Sequence, residues 1–247
     1  MEKKHFNLNL PIFLKPKRNY LLERLGKNND GGYLVCPRSV KDSSTLMALG
    51  INDDWSFEED FLKKNKNINA LYFDPNTSFT LLLKIFAQKI IFFFYYKITD
   101  IIYSFLQLFK FFLIRKKLIN KYITYGDILK YTKNLKGKFF LKIDIEGSEY
   151  RILKDLIKIN NKISGLVIEF HNTDLFMNEI KHFIKNIGLK LVHVHANNTI
   201  EHITKTNVLE LTFSKNPLII NNILLFPHPL DQKNYARNKE IKINFIK

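Results

Sequence analysis

The sequence predicts an α/β fold built on a doubly wound, mainly parallel sheet. Two observations lead there. Strand-like apolar runs recur along the chain with helical stretches between most of them, which is the pattern of βαβ units. The run 139–145 also delivers two carboxylates, Asp144 and Glu146, to its end. Gly147 then breaks it before an amphipathic pattern of Tyr150, Leu153, Leu156 and Ile157. Residues two apart in a strand share a face, and open α/β sheets place their chemistry at the carboxyl ends of strands.

With 247 residues, 46% of them hydrophobic, one large domain with a sizeable core is expected. The single cysteine, Cys36, excludes a disulfide framework and fits a reducing compartment. No base can be placed beside it, so it reads as an ordinary small residue near a turn. The net charge of +16 suits a polyanion such as nucleic acid, anionic lipid or an acidic sugar. It also suits compositional drift, because the charge is almost all lysine in a chain rich in Asn, Ile and Phe. Dedicated phosphate readers favour arginine. The basic start, Met1-Glu2-Lys3-Lys4-His5-Phe6, lacks the apolar core of a signal peptide, so export is not expected.

Residues 1–29 read as polar and irregular. Asp30-Gly31-Gly32-Tyr33 is a tight turn into a short apolar run at 33–36. A buried strand is expected at 44–49, ending at Gly50. A helix then runs from Ser56, with Glu59 at capping-box spacing, to about Lys64. A second strand at 69–73 is closed by Asp74-Pro75-Asn76.

Residues 80–117 read as two helices with very wide apolar faces and regular lysines. They suit a core or dimer interface, or alternatively a segment lying on a lipid surface. No uncharged run there reaches the ~20 residues of a spanning helix. Further strands are expected around 122–124, 139–145, 166–170, 189–194 and 208–213, with helices at roughly 126–134, 148–159 and 174–187. The last two strands lack a helix between them, which predicts an antiparallel hairpin at the sheet edge.

Three groups of residues can carry chemistry. First, Gly50 and Asp74 end the first two strands at close to the ~20-residue spacing at which an acid meets a ribose. There is no G-x-G-x-x-G, which argues against a dinucleotide. Asp53, Asp54 and Glu58 suit a cationic ligand better than a phosphate. Second, Asp144, Glu146 and Glu149 can position or activate a hydroxyl, or hold a divalent cation. Glu149 can equally cap the helix start. Third, Glu169-Phe170-His171-Asn172 and His193-Val194-His195-Ala196-Asn197-Asn198 close neighbouring strands. A zinc site from these histidines lacks a recognised ligand spacing, and no metal is expected.

Together these segments resemble the FkbM-type methyltransferases, a branch of the class I S-adenosylmethionine-dependent enzymes. The resemblance rests on Asp30-Gly31-Gly32-Tyr33-Leu34-Val35-Cys36, then Leu49-Gly50-Ile51-Asn52-Asp53-Asp54-Trp55-Ser56-Phe57-Glu58 and Tyr72-Phe73-Asp74-Pro75. It continues through Leu141-Lys142-Ile143-Asp144-Ile145-Glu146-Gly147-Ser148-Glu149, Ile168-Glu169-Phe170-His171 and the His193 to Asn198 segment, in the family's order. It implies a Rossmann-like sheet of about seven strands, the last antiparallel. It implies a methyltransferase domain over 30–215 with a helical insertion at about 78–121, flanked by an extension (1–29) and a tail (216–247).

In that reading Gly50, Asn52, Asp53, Glu58 and Asp74 bind S-adenosylmethionine. Asp144, Glu146 and His171 do the chemistry, and Tyr33, Glu169, His195 and Asn197 meet the acceptor. The implied acceptor is a hydroxyl on a carbohydrate of a surface glycan or lipid-linked precursor. The implied location is cytoplasmic, peripheral on the inner membrane face if 80–117 meets lipid, with a homodimer as the other partner for that segment. Two departures stand out: 77–121 does not match in detail, and Ala196 stands where glycine is common. The rival readings are a non-catalytic membrane-associated scaffold and a nucleic-acid methyltransferase. No nucleic-acid partner is expected, because neither an Asn-Pro-Pro-Tyr-type tetrapeptide nor a separate basic module is present.

Overall fold

The computed structural model describes residues 7–66, 68–199 and 207–246, so the basic hexapeptide 1–6 lies outside the described residues. A central sheet of seven strands organises it. In chain order these are β1 (Thr45–Leu49), β2 (Asn69–Phe73), β3 (Leu118–Ile119), β4 (Phe139–Ile143), β5 (Ile163–Phe170), β6 (Lys190–Ala196) and β7 (Leu209–Ser214). Their order in space is β3-β2-β1-β4-β5-β7-β6. Pairs from β3 through β5 are parallel, and β7 runs antiparallel to both its neighbours. The expected Rossmann-like α/β sheet is present. Its antiparallel strand lies one place in from the edge, with β6 outermost.

The helices among the described residues are α1 (Pro37–Lys41), α2 (Ser56–Lys64), α3 (Phe79–Ile91), α4 (Ile98–Ile114), α5 (Asp127–Thr132), α6 (Leu153–Lys158) and α7 (Met177–Asn186). Every residue of β1, β4 and β5 is buried. That is why they read as unbroken apolar runs, since a parallel sheet is covered on both faces. One face carries Leu49, Leu141, Ile143 and Ile168 against Leu156, Ile180 and Phe183 of α6 and α7. The other carries Leu46, Phe140 and Val167 against Phe57 and Phe61 of α2 and against Tyr33. The chain steps outward from β1 through β2 to β3, then returns to β4 beside β1. The crevice outside β1 and β4 is therefore the topological switch point, where such sheets bind ligands.

Several elements differ from expectation. Residues 122–124 are loop, and the third strand is only Leu118–Ile119. The helix expected over 148–159 is broken into a 3-10 turn, Glu149–Arg151, and α6. The Glu149 carboxylate folds back onto the amides of Ile145 and Gly147, which tightens that turn. At α2 the N-cap is Trp55, and the residue before it, Asp54, accepts from the Ser56 amide at 3.0 Å. The Ser56 hydroxyl instead accepts from the Lys27 amide at 2.9 Å.

Within residues 7–29, read as irregular, two strands form. Asn7–Pro11 pairs in parallel with Lys242–Ile246, and Glu23–Leu25 pairs antiparallel with Tyr33–Val35. Leu8, Leu10 and Ile243 join the main core. Cys36 is buried, and burial pushes its thiol up to about 11. Among the described residues no helix is long and apolar enough to cross a membrane.

Candidate active site

A cleft of about 350 Å³ opens at the switch point. That is the scale of a small-molecule site. Its lining includes Gly50, Asn52, Asp53, Glu58, Asp74, Asp144 and Glu146, so seven residues singled out in the sequence converge on one space. The two strand ends come together because position 50 is glycine. Gly50 has φ +77°, and a Cβ there would lie 1.7 Å from the Asp144 carbonyl oxygen. Only a residue without a side chain allows that approach.

The wall on the β1 side is acidic. Glu58 is buried, and neither carboxylate oxygen has a hydrogen-bond partner. Burial pushes it up to about 7, against the pull of Lys142. A buried acid without a partner is an incomplete arrangement, and a cation brought into the cleft would complete it. Asp54 accepts from Lys27 Nζ (2.7 Å) and from the Tyr103 hydroxyl of α4 (2.7 Å). Gln107 in turn donates to that hydroxyl.

Asp74 lines the cleft but is already fully engaged. Its Oδ2 accepts from the Ile51 and Asn52 amides, and its Oδ1 from those of Asn76 and Thr77, all within 3.2 Å. Two oxygens accepting two hydrogens each leave no capacity for a ribose. Asp74, expected to hold a ribose, buckles the loop after β1 to the loop after β2 at the cleft wall.

On the β4 side, Asp144, Glu146 and His171 meet. One donor atom from each lies within 4.8 Å of the others, a spacing in which a divalent cation could be shared. His171 Nδ1 lies 3.0 Å from Glu149 Oε1, and Nε2 lies 3.3 Å from Glu146 Oε2. Glu149 is fully buried and held by two backbone amides, so it fixes the ring. Burial opposes charge on His171. The hydrogen bond and charge of Glu149, with Asp144 and Glu146, outweigh that and raise its pKa. Burial likewise raises the Asp144 carboxyl, against Lys142 and His171. Glu146 has φ +52° and an exposed side chain, so its carboxylate overhangs the opening.

His171 reaches the cleft through Glu146 and does not line it, and neither do the four residues expected to meet an acceptor. Tyr33 is buried, and its hydroxyl, with one hydrogen to give, lies between Glu169 (3.1 Å) and Asp144 (3.3 Å). Asn197 donates to the other Glu169 oxygen at 2.9 Å. Burial, with Asp144 and Glu210 nearby, holds the Glu169 carboxyl well above its usual range. These three brace Asp144 from behind. His195 is 3% exposed, with its two ring nitrogens 3.1 and 3.2 Å from Glu210 and Glu240. Burial opposes its charge, but Glu210, Glu240 and Asp231 raise its pKa well above the ordinary value. Both ring nitrogens are therefore engaged inside the protein, away from the cleft.

Two sets of cleft residues had no assigned role in the sequence. Lys142 is buried and donates to the Gly50 carbonyl, with Asp144 Oδ2 at 3.8 Å. The signal was present, because a lysine inside a buried strand almost always has a partner. Residues 121–124 also line the cleft, after a strand too short to leave a pattern.

No family model and no curated protein matches the sequence. Among solved structures the chain is similar to precorrin-6Y C5,15-methyltransferase from Geobacter metallireducens, at 14% identity and a TM-score of 0.42 over 73% of this chain and 84% of that one. It is also similar to the fibrillarin pre-rRNA processing protein of Methanococcus jannaschii, at 10% identity and TM-score 0.39 over 71% of this chain and 68% of that one. A third is M. jannaschii TYW2 in complex with AdoMet, at 10% identity and TM-score 0.35 over 72% and 73%. At these values, what each neighbour binds or modifies is a property of that neighbour.

Proposed function

We propose that the cleft takes S-adenosylmethionine and that the chain is an FkbM-type methyltransferase. Its acceptor is a hydroxyl of a sugar in a surface glycan or lipid-linked precursor. One observation carries the cofactor reading: the partnerless buried carboxylate of Glu58 in a cleft also lined by Asp53 and Asp144. A sulfonium and an ammonium are the charges such a wall attracts, whereas acids repel phosphates. The resemblance of the strand-end motifs adds the acceptor class.

In this reading Glu58 and Asp53 hold the cationic groups, Gly50 gives close backbone approach, and residues 121–124 also line the cleft. When bound, S-adenosylmethionine supplies a methyl carbon already activated for in-line displacement. The protein then has to align the acceptor and remove its proton. His171 is the base. Glu149 can only accept, so Nδ1 carries a hydrogen, and deprotonated Nε2 takes the hydroxyl proton. Asp144, whose charge favours the protonated ring, stabilises the imidazolium that forms on His171, and Glu146 orients the sugar from the rim. Lys142 and Tyr33 keep Asp144 in place.

Two measurements test this. Calorimetry should show S-adenosylmethionine binding that Glu58→Gln weakens at least tenfold. Mass spectrometry of surface glycans from cells with and without the chain should show the loss of one CH2 unit from a single sugar. Absence of cofactor binding would favour the non-catalytic scaffold instead.

A further inference from the structure

Helix α4 is turned inside out. Its buried residues are Ser104, Gln107 and Leu108, while Phe105, Phe109 and Leu113 are exposed, Leu113 by 76%. Its partner α3 buries only Leu82. The turn between them is bare: residues 90–100 are all exposed, with Phe94 at 85% and Tyr95 at 80%. Large contiguous apolar surfaces of this kind are interaction sites on folded proteins.

We infer that the free face of the α3–α4 hairpin docks the protein on an anionic bilayer surface. Two features favour lipid over a second copy of the chain. Residues 79–117 hold seven Lys and Arg residues against one acid, Asp100. In a two-fold dimer that basic patch would meet itself and repel, whereas anionic headgroups neutralise it. The second feature is a groove of about 500 Å³ between α2 and α4, into which Leu113 and Ile114 continue the apolar face. Its lining carries Lys63, Lys66, Lys110 and Lys117 against two acids, the buried Glu58 and also Glu59, which is paired with Lys110. Its wall includes Trp55, whose buried Nε1 has no hydrogen-bond partner. Cations around an apolar slot with a spare buried donor suit an acidic headgroup above its acyl chains. The aromatic turn then sits at the headgroup level, where Phe and Tyr rings embed without spanning.

The test is co-sedimentation of the full chain with vesicles of phosphatidylcholine alone or with a third phosphatidylglycerol, at low and high salt. Binding to the mixed vesicles should exceed binding to neutral ones at least tenfold and fall with salt. The double substitution Phe93→Ser and Phe94→Ser, at exposed positions, should lower it at least tenfold without moving the melting temperature. A wild-type chain that stays in the supernatant with both vesicles overturns the inference. So does a wild-type dimer in gel filtration that the double variant converts to monomer while vesicle binding is unchanged. Neither result depends on the methyltransferase reading.

Discussion

The carboxyl edge of the sheet has an open half and a closed half. Across it Asp144, Glu169, Glu210 and His195 stand nearly side by side, as the registers Ile143↔Ile168, Glu169↔Glu210 and Glu210↔His195 require. Over β1 and β4 the acids face a cleft and Glu58 has no partner. Over β5, β7 and β6 the charges are matched inside the protein: Glu210 and Glu240 close on His195, and Asp231 lies 2.8 Å from His193. A row of polar strand ends is therefore not one site. The C-terminal tail seals half of it, and only the unsealed half can do chemistry.

The sharpest way to break that division is to exchange the expected effects of its two halves. Asp144→Asn should lower turnover by about 10²-fold, the scale of removing one charge that stabilises the reacting groups. Cofactor affinity should stay within about threefold and the melting temperature should hold. Retained turnover in an initial-rate assay removes Asp144 from the mechanism. In the closed half, Glu210→Ala leaves His195 with Glu240 as its one hydrogen-bonded carboxylate and Asp231 further off. It should destabilise the fold by about 3–5 kcal/mol in urea unfolding, while the folded fraction still binds cofactor normally. A variant that unfolds like wild type but loses cofactor would erase the boundary between the halves.

Glu58 gives a subtler test through pH. Its carboxyl is held at about 7 rather than the ordinary 4.5, so the folded protein binds its proton more tightly than the unfolded chain does. That stabilisation is fully present below about pH 4.5 and is lost as pH rises through 7. The whole swing is about 3 kcal/mol at ~1.4 kcal/mol per pH unit. Glu58→Gln should flatten the curve of stability against pH over that window and be the more stable protein at pH 8. A curve with the wild-type slope would sink the assignment. The smallest effect is expected from Tyr103→Phe, which removes one hydrogen bond to Asp54 and should cost about 1 kcal/mol.

What was legible in the sequence was local. The runs at 139–143 and 163–170 announce buried strands because both their faces are covered. Gly50, Asp53, Asp144 and Glu146 lie at or just past a strand end, where topology alone brings them to the cleft, and Glu58 lies in the first turn of the helix after β1. What failed depended on distant partners. His195 looked available because Glu240 lies 45 residues further on. Asp74 looked free because its four amide donors come from two loops, 51–52 and 76–77. The pairing of Asn7–Pro11 with Lys242–Ile246 joins opposite ends of the chain and leaves no local pattern.

The contact between Tyr103 and Asp54 has a consequence for how the two surfaces communicate. It runs from the hairpin's buried side to a carboxylate that also holds Lys27 at the cleft wall. If docking shifts α4 enough to strain that contact, the cleft's affinity for its ligand changes by some factor. The thermodynamic cycle then obliges ligand occupancy to change vesicle affinity by the same factor. Measuring vesicle binding with and without S-adenosylmethionine, in wild type and Tyr103→Phe, gives that factor directly. A ratio of one in both proteins makes the hairpin an anchor alone, and a ratio that collapses in the variant makes it a reporter of what the cleft holds.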